Sequence, residues 1–563
     1  MSSEKSKNNK HTNWYKDAVI YQIYPRSFSD SNNDGLGDIS GIISKLDYLK
    51  ELGVNCVWLS PIYDSPQVDN GYDISNYLDI YPPFGTLDDA KRMFNEMHKR
   101  GIRVIMDLVV NHTSSEHPWF KSAISDPKSP YRNYYIIKKG KKNGKKPPNN
   151  WTGFFSESTW TRIGNTNEYY FHLFAKGQPD LNWENPKLRE EVKNILRYWL
   201  DLGVDGFRCD VINLISKKQD FKNRFPVLAL TGKDAYINGP RLHEYLHELY
   251  KDVYVNYDSM TVGETALSNL KQAKLLVDPS KEELDMVFNF DHTDSDNYLG
   301  IKYFYRKFKL TRFKKRLEYW QNGLYEKGWN SLFIENHDQR RSSGRFGTVD
   351  QGEYKDKSAM SLALSYFMLQ GTPFIYQGQE IGMTNAYFKD INDIQDIESH
   401  NVYKLFGKFG PFKKKLRKTL FEVSRDNART PMLWDNSTYG GFSNVEPWLK
   451  VNSNKEEINV KKALEDKDSL FYFYKKLIEY RKDNEVIKNG KFVLKYKHSN
   501  RLFMYERVLD NHKVVVICSF YEKPLKLKDL KVLNSNDLKI TNYSDNSSQI
   551  LKSYECRLYE IVC

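Results

Sequence analysis

The chain has 563 residues, 40% of them hydrophobic with 39 Tyr and 31 Phe, enough to bury one large domain with smaller ones beside it. Lys and Arg outnumber Asp and Glu by 85 to 72, a net charge of +13, but the lysines are scattered and no nucleic-acid motif accompanies them, so no nucleic-acid partner is expected. No run of about 20 apolar residues is there to span a bilayer, and the polar, lysine-rich start from Met1 to Asn13 reads as neither signal peptide nor membrane anchor.

In chain order, strand-like apolar runs occur at Ala18–Tyr24, Cys56–Ser60, Val104–Val110, Gly206–Val211, Thr261–Glu264, Met286–Phe290, Ser331–Glu335 and Thr372–Tyr376. Helical stretches such as Leu188–Leu202 and Lys355–Leu369, both read as amphipathic, separate them. Eight strands alternating with helices predict an α/β fold, a closed (β/α)₈ TIM barrel, whose catalytic groups gather at the C-terminal strand ends. The barrel begins over 12–110. Thr113 to Gln178 is long, polar and irregular, so 111–180 is expected to be a subdomain inserted after strand three. The barrel resumes over 181–486, with a second insertion at about 378–450 and a helix over Asp468–Lys482. From about 487 to 563, short runs such as Lys513-Val-Val-Val-Ile-Cys-Ser-Phe520 predict a C-terminal antiparallel β-sandwich domain.

Several of these runs end in acid. Asp210 follows strand four, two residues after Arg208, and residues two apart on an extended chain share a face. An arginine beside a carboxylate keeps it ionised, the state a nucleophile needs; a structural ion pair is the equal alternative on these two residues alone. Glu264 ends strand five. His337 and Asp338 end strand seven, where Asp338 alone could serve as a helix cap and a lone histidine as a structural one.

The loop Asp30-Ser-Asn-Asn-Asp-Gly-Leu-Gly-Asp38 places oxygen donors at alternate positions: Asp30, Asn32, Asp34, the Leu36 carbonyl and Asp38. It matches the first nine positions of a calcium loop, with Gly41 where a bidentate glutamate would stand, and predicts a structural Ca²⁺. The five cysteines, Cys56, Cys209, Cys518, Cys556 and Cys563, lack metal spacing and read as reduced thiols of a cytoplasmic protein. The dense run Lys138–Lys146 reads as a solvated loop tip. The sequence leaves the oligomeric state open, with a monomer plausible.

Seven segments carry a resemblance: Asp69-Asn-Gly-Tyr-Asp73, Asp107-Leu-Val-Val-Asn-His112, Gln178-Pro-Asp-Leu-Asn-Trp183, Gly206-Phe-Arg-Cys-Asp-Val-Ile-Asn213, Val262-Gly-Glu264, Glu335-Asn-His-Asp-Gln339 and Arg425-Asp-Asn-Ala-Arg-Thr-Pro-Met432. In this order they resemble the α-amylase family of glycoside hydrolases and, within it, the oligo-1,6-glucosidase and α-glucosidase group. The resemblance implies Asp210 as nucleophile, Glu264 as general acid/base and Asp338 as the third carboxylate. It also implies that Arg208 holds Asp210 ionised, that His112 and His337 bond sugar hydroxyls, that Tyr72 stacks beneath the ring, and that Asp69 with Arg425 closes the pocket. The implied activity is a retaining, exo-acting α-glucosidase on short oligosaccharides.

Val211, directly after the nucleophile, goes with α-1,6 linkages in the related group. Thr265-Ala266 stands where methionine is common, and Arg340 where proline is frequent. The alternatives are a trehalose-6-phosphate hydrolase, an α-1,4-glucosidase or sucrose-cleaving enzyme, and a sucrose isomerase. Gln339-Arg-Arg-Ser-Ser-Gly344 lacks the Arg-Leu-Asp-Arg run of the related isomerases.

Overall fold

The computed structural model describes residues 12–155, 158–227, 229–298, 301–406, 412–527, 533–545 and 549–562. The lysine-rich start up to residue 11 and Cys563 lie outside them. All eight expected strands are present: β1 (Ile20–Ile23), β2 (Cys56–Leu59), β3 (Arg103–Leu108), β4 (Gly206–Cys209), β5 (Met260–Glu264), β6 (Met286–Phe288), β7 (Trp329–Leu332) and β8 (Thr372–Tyr376). They form a closed barrel in which sequence neighbours pair and β8 returns to β1. Every residue of β1, β2, β4, β7 and β8 is buried, as strands covered on both faces require. Gly206, at φ 155°, opens β4; a Cβ there would stand 2.2 Å from the Met260 carbonyl oxygen of β5, so only glycine lets the two strands approach.

Register places the acids. Asp107 pairs with Arg208, and Arg208 with Val262. The last β4–β5 pair is Cys209 with Gly263, so Asp210 and Glu264 come next, abreast.

The helix Pro186–Asp201 leads into β4. Asn185 caps it by accepting from the Lys187 amide, proline follows, and Leu188, Val192, Ile195, Leu196 and Trp199 make one buried face. Each such side chain contributes about 1.5–3 kcal/mol when fully buried. The helix Lys355–Phe367 differs from its expected amphipathic character, because its residues from Met360 to Phe367 are buried on all sides. Its serines satisfy themselves on carbonyls: Ser365 donates to Leu362 at 2.7 Å and Ser361 to Ser519 at 2.9 Å.

The insertion after β3 is more ordered than its polar sequence implies. It holds the helix Pro118–Ser125 and a three-stranded sheet of Ile137–Lys139, Glu168–Phe171 and Trp160–Arg162. Trp151, Trp160, Phe171, Phe221 and Tyr236 form its core, which also takes in Val211 and Leu214. After β8 come the helices Ile397–Phe406, Phe412–Val423 and Asp426–Arg429. At the C-terminus, Lys491–Lys495, Leu502–Leu509, His512–Ser519, Cys556–Val562 and Leu538–Thr541 form a five-stranded antiparallel sheet, with a two-stranded ribbon of Leu525–Lys526 and Ile550–Leu551.

The chain falls into two compact units. One contains Trp58–Asn95 and Arg103–Asn289; the other contains Tyr15–Val57, Glu96–Ile102 and the chain from Phe290 onward. Among the described residues no helix is long and apolar enough to cross a membrane, and Cys56, Cys209, Cys518 and Cys556 are buried.

Candidate active site

In the first unit, Arg208 is the hub. Its Nη1 lies 2.5 Å from Asp107 Oδ1 and 2.7 Å from Asp210 Oδ1, and its Nη2 lies 2.5 Å from Glu264 Oε2. Adjacent strands β3, β4 and β5 supply these four side chains, which is why they meet. Arg208 therefore serves both predicted catalytic carboxylates and not Asp210 alone. Three carboxylates against one guanidinium leave an excess of negative charge in a buried place, which favours a proton on one of them. Burial pushes Asp107 up to about 6, against the pull of Arg208 and Trp58. Asp107 Oδ2 accepts from Trp58 Nε1 at 2.9 Å and from the Tyr72 hydroxyl at 3.2 Å. The Arg208 guanidinium faces both aromatic rings, 5.3 Å from Trp58 and 5.7 Å from Tyr72.

Val211 occupies the left-handed region, with φ 34° and ψ 40°. For a β-branched residue this conformation is an outlier that costs on the order of 1–3 kcal/mol. It turns the Val211 amide toward Glu264 Oε2, 3.3 Å away, and sends the side chain into the aromatic core of the insertion.

Asp69, His112 and Gln178 meet around Tyr72. Gln178 Nε2 donates to Asp69 Oδ2 at 3.3 Å and to the Tyr72 carbonyl at 3.1 Å. His112 Nε2 lies 2.9 Å from the same carbonyl, so it carries the proton, and Nδ1 accepts from Asn111 at 3.2 Å. Burial lowers the His112 pKa and keeps the ring neutral. Behind it, Lys217 pairs with Asp180 at 2.8 Å and donates to Asn111 Oδ1 at 2.8 Å.

The second unit holds the other predicted residues. Arg429 Nη2 lies 2.8 Å and Arg425 Nη1 3.2 Å from Asp338 Oδ1. The side chain of Asp338 is about one-third exposed, at 32%. His337 Nε2 lies 3.3 Å from Asp338 Oδ2, while its Nδ1 lies 2.8 Å from the Gln22 amide nitrogen. Tyr24 stacks on the His337 ring at 6.2 Å. Arg425 is gripped by Asp396, through Nη2 at 2.7 Å and Nε at 2.8 Å. Burial pushes the Asp396 carboxyl up, but Arg425, Arg429 and Lys302 outweigh it and hold the group well below the usual range.

The sequence motifs contained Asp107, Gln178 and Arg429 without revealing their partners. Gln22, Trp58, Lys217 and Asp396 were missed, because their partners, such as Asp180 for Lys217 and Arg425 for Asp396, are brought to them only by the fold.

In the loop expected to hold metal, Asp30 Oδ1 accepts from the Asn32 and Asn33 amides, and Oδ2 from the Gly35 amide and the Ser443 hydroxyl. Asp38 accepts from the Ser31 and Gly41 amides. A Cβ on Gly35, at φ 85°, would stand 2.6 Å from the Glu446 carbonyl oxygen, so the sharp turn needs glycine. Among the described residues no three His, Cys, Asp or Glu side chains converge as a metal centre of those residues alone would. Asp30, Asn32, Asp34, the Leu36 carbonyl and Asp38 offer oxygen donors only, the ligand type that suits a hard cation.

The chain is similar to known proteins over nearly its whole length. The alpha-amylase family model, described as the alpha amylase catalytic domain, matches residues 22–490. An oligo-1,6-glucosidase of Parageobacillus thermoglucosidasius is 51% identical over 97% of this chain and 99% of its own. The structure of a trehalose-6-phosphate hydrolase from Bacillus licheniformis superposes with a TM-score of 0.92 at 44% identity, covering 98% of this chain and 100% of that one. An isomaltulose synthase from Klebsiella superposes at 0.93 with 37% identity, covering 97% and 99%. The match begins within the first barrel strand and ends where the C-terminal sheet begins, and the chain belongs to the α-amylase family.

Proposed function

We propose that the protein is a retaining, exo-acting α-glucosidase that releases glucose from the non-reducing end of short oligosaccharides, with α-1,6 bonds preferred. The observation that carries this reading is the bridge by which Arg208 holds Asp210 and Glu264 at neighbouring strand ends. Asp210 attacks the anomeric carbon while Glu264 gives its proton to the departing oxygen. Water then attacks the glucosyl ester, with Glu264 as base, and the α configuration is restored. Such a pair works at a carboxyl separation of about 5–5.5 Å. Arg208 stabilises the charge on Asp210. Glu264 must carry a proton before it donates.

Asp338 binds the sugar hydroxyls and stabilises the oxocarbenium-like transition state, with His337 and His112 as further hydroxyl partners. Tyr72 lies beneath the ring, and Asp69 and Arg425 each bond the terminal glucose. Relatives named oligo-1,6-glucosidase and the valine at position 211 support the linkage. Asp30, Asn32, Asp34, the Leu36 carbonyl and Asp38 would hold a Ca²⁺ ion that stiffens the loop after β1. The absence of metal spacing among the cysteines and their burial support a cytoplasmic setting.

The test is a rate comparison on isomaltose, maltose, sucrose, trehalose and trehalose 6-phosphate, with Asp210→Asn as control. Fastest glucose release from isomaltose supports the reading. Preference for trehalose 6-phosphate moves the protein to the phosphotrehalose hydrolases, and a rearranged disaccharide from sucrose moves it to the isomerases.

A further inference from the structure

We propose that Asp396 is a positioning residue that aims Arg425 at Asp338, and that affinity for the sugar depends on it. The proposal rests on the reading of Arg425 as a sugar-binding residue. A free arginine side chain samples many rotamers, which must be lost when it binds. Here Asp396 Oδ1 takes both Nε and Nη2 of Arg425, at 2.8 and 2.7 Å, and leaves Nη1 to point at Asp338 Oδ1, 3.2 Å away.

Asp396 is itself fully buried and fixed from two sides. Its Oδ2 accepts from the Ser399 hydroxyl at 2.7 Å and the Ser399 amide at 3.3 Å, and its Oδ1 from the Glu398 amide at 3.2 Å. Its own amide donates to Asp426 Oδ2 at 2.9 Å. The carboxylate thus does two jobs: it caps the helix Ile397–Phe406 and it grips Arg425.

The two jobs have different requirements. Capping needs only an oxygen, and asparagine caps as well as aspartate. Gripping a guanidinium through two nitrogens needs the charge. Asp396→Asn, with one acceptor oxygen and no charge, can keep a cap bond but loses the charge that holds the guanidinium.

The experiment measures kcat and KM on isomaltose, with melting temperature alongside, for Asp396→Asn, Arg425→Ala and the double variant. We expect Asp396→Asn to raise KM about tenfold, with kcat within about threefold of wild type and the melting temperature nearly unchanged. Arg425→Ala should raise KM at least as much, and the double variant should be no worse than Arg425→Ala. A double variant whose KM increase is the product of the two single increases, or an unchanged KM in Asp396→Asn, overturns the proposal. An unchanged KM in Arg425→Ala overturns the reading of Arg425 and the proposal with it. Should Asp396→Asn fail to fold, Ser399→Ala decides: it loosens Asp396 without removing a charge, and a raised KM at constant kcat is expected, whereas an unaltered KM contradicts the proposal.

Discussion

Arg208 Nη2 lies 2.5 Å from Glu264 Oε2, while Nη1 of the same guanidinium holds Asp210 at 2.7 Å. One planar fork thus spans the proposed nucleophile and the proposed acid/base. Lysine would keep the charge but not the fork. Arg208→Lys should lower kcat/KM on isomaltose by at least about 100-fold, since two charge-assisted bonds of about 1.5–3 kcal/mol are disturbed. Steady-state kinetics check this, and a loss below tenfold would show that geometry at Arg208 matters little.

Val211 combines a strained backbone with a side chain buried in an aromatic core. Threonine is nearly isosteric, but its hydroxyl would enter that core at a cost of about 1–3 kcal/mol. Val211→Thr should therefore lower the melting temperature and shift the isomaltose-to-maltose ratio of kcat/KM toward maltose by roughly tenfold, an effect of about 1.4 kcal/mol. An unchanged ratio would remove Val211 from the specificity account.

Glu380 is a buried acid outside the proposed chemistry. It accepts from the Tyr21 and Tyr48 hydroxyls at 2.8 and 2.6 Å, and burial pushes it up to about 7 despite those bonds. A carboxyl raised on folding binds its proton more tightly in the native state. Its contribution is full below the unfolded value near 4.5 and is lost as pH rises through about 7. Glu380→Gln escapes that loss, which is on the order of 3 kcal/mol. The melting temperature of Glu380→Gln relative to wild type should rise between pH 5 and pH 8, as calorimetry at the two pH values would show. A constant difference would mean that Glu380 does not ionise in that range.

Chelation tests the loop at Asp30–Asp38. A bound ion stabilises the folded state by about 2.7 kcal/mol at 100 times its Kd. EDTA should lower the wild-type melting temperature by a few degrees, reversed by added Ca²⁺, and should leave Asp34→Ala unaffected. Equal curves with and without EDTA in both proteins would argue against a resident cation.

Much of the barrel was legible because each strand is a short apolar run, buried on both faces, and several end in acid. The ends were less legible. Val109 and Val110 continue the apolar run of β3, yet ladder pairing stops at Leu108, whose carbonyl accepts from the Asp210 amide at 2.9 Å. The insertion looked irregular because its strands are three or four residues long and its core is built of scattered aromatics brought together only in space. Asp210, Glu264 and Asp338 stood out as acids closing apolar runs. Asp396 gave no such signal, since it acts on Arg425 across 29 residues of chain. The sharing of Arg208 among three carboxylates follows from barrel register, which a single strand does not reveal.

The central claim is that Asp210 carries the glucosyl group. Reaction with a slow-releasing fluorinated α-glucosyl fluoride, followed by peptide mapping by mass spectrometry, tests it most directly. The account predicts a stable adduct on Asp210, absent in Asp210→Asn, and α-glucose as the first product of normal turnover. An adduct on another residue, or β-glucose as the first product, would contradict it.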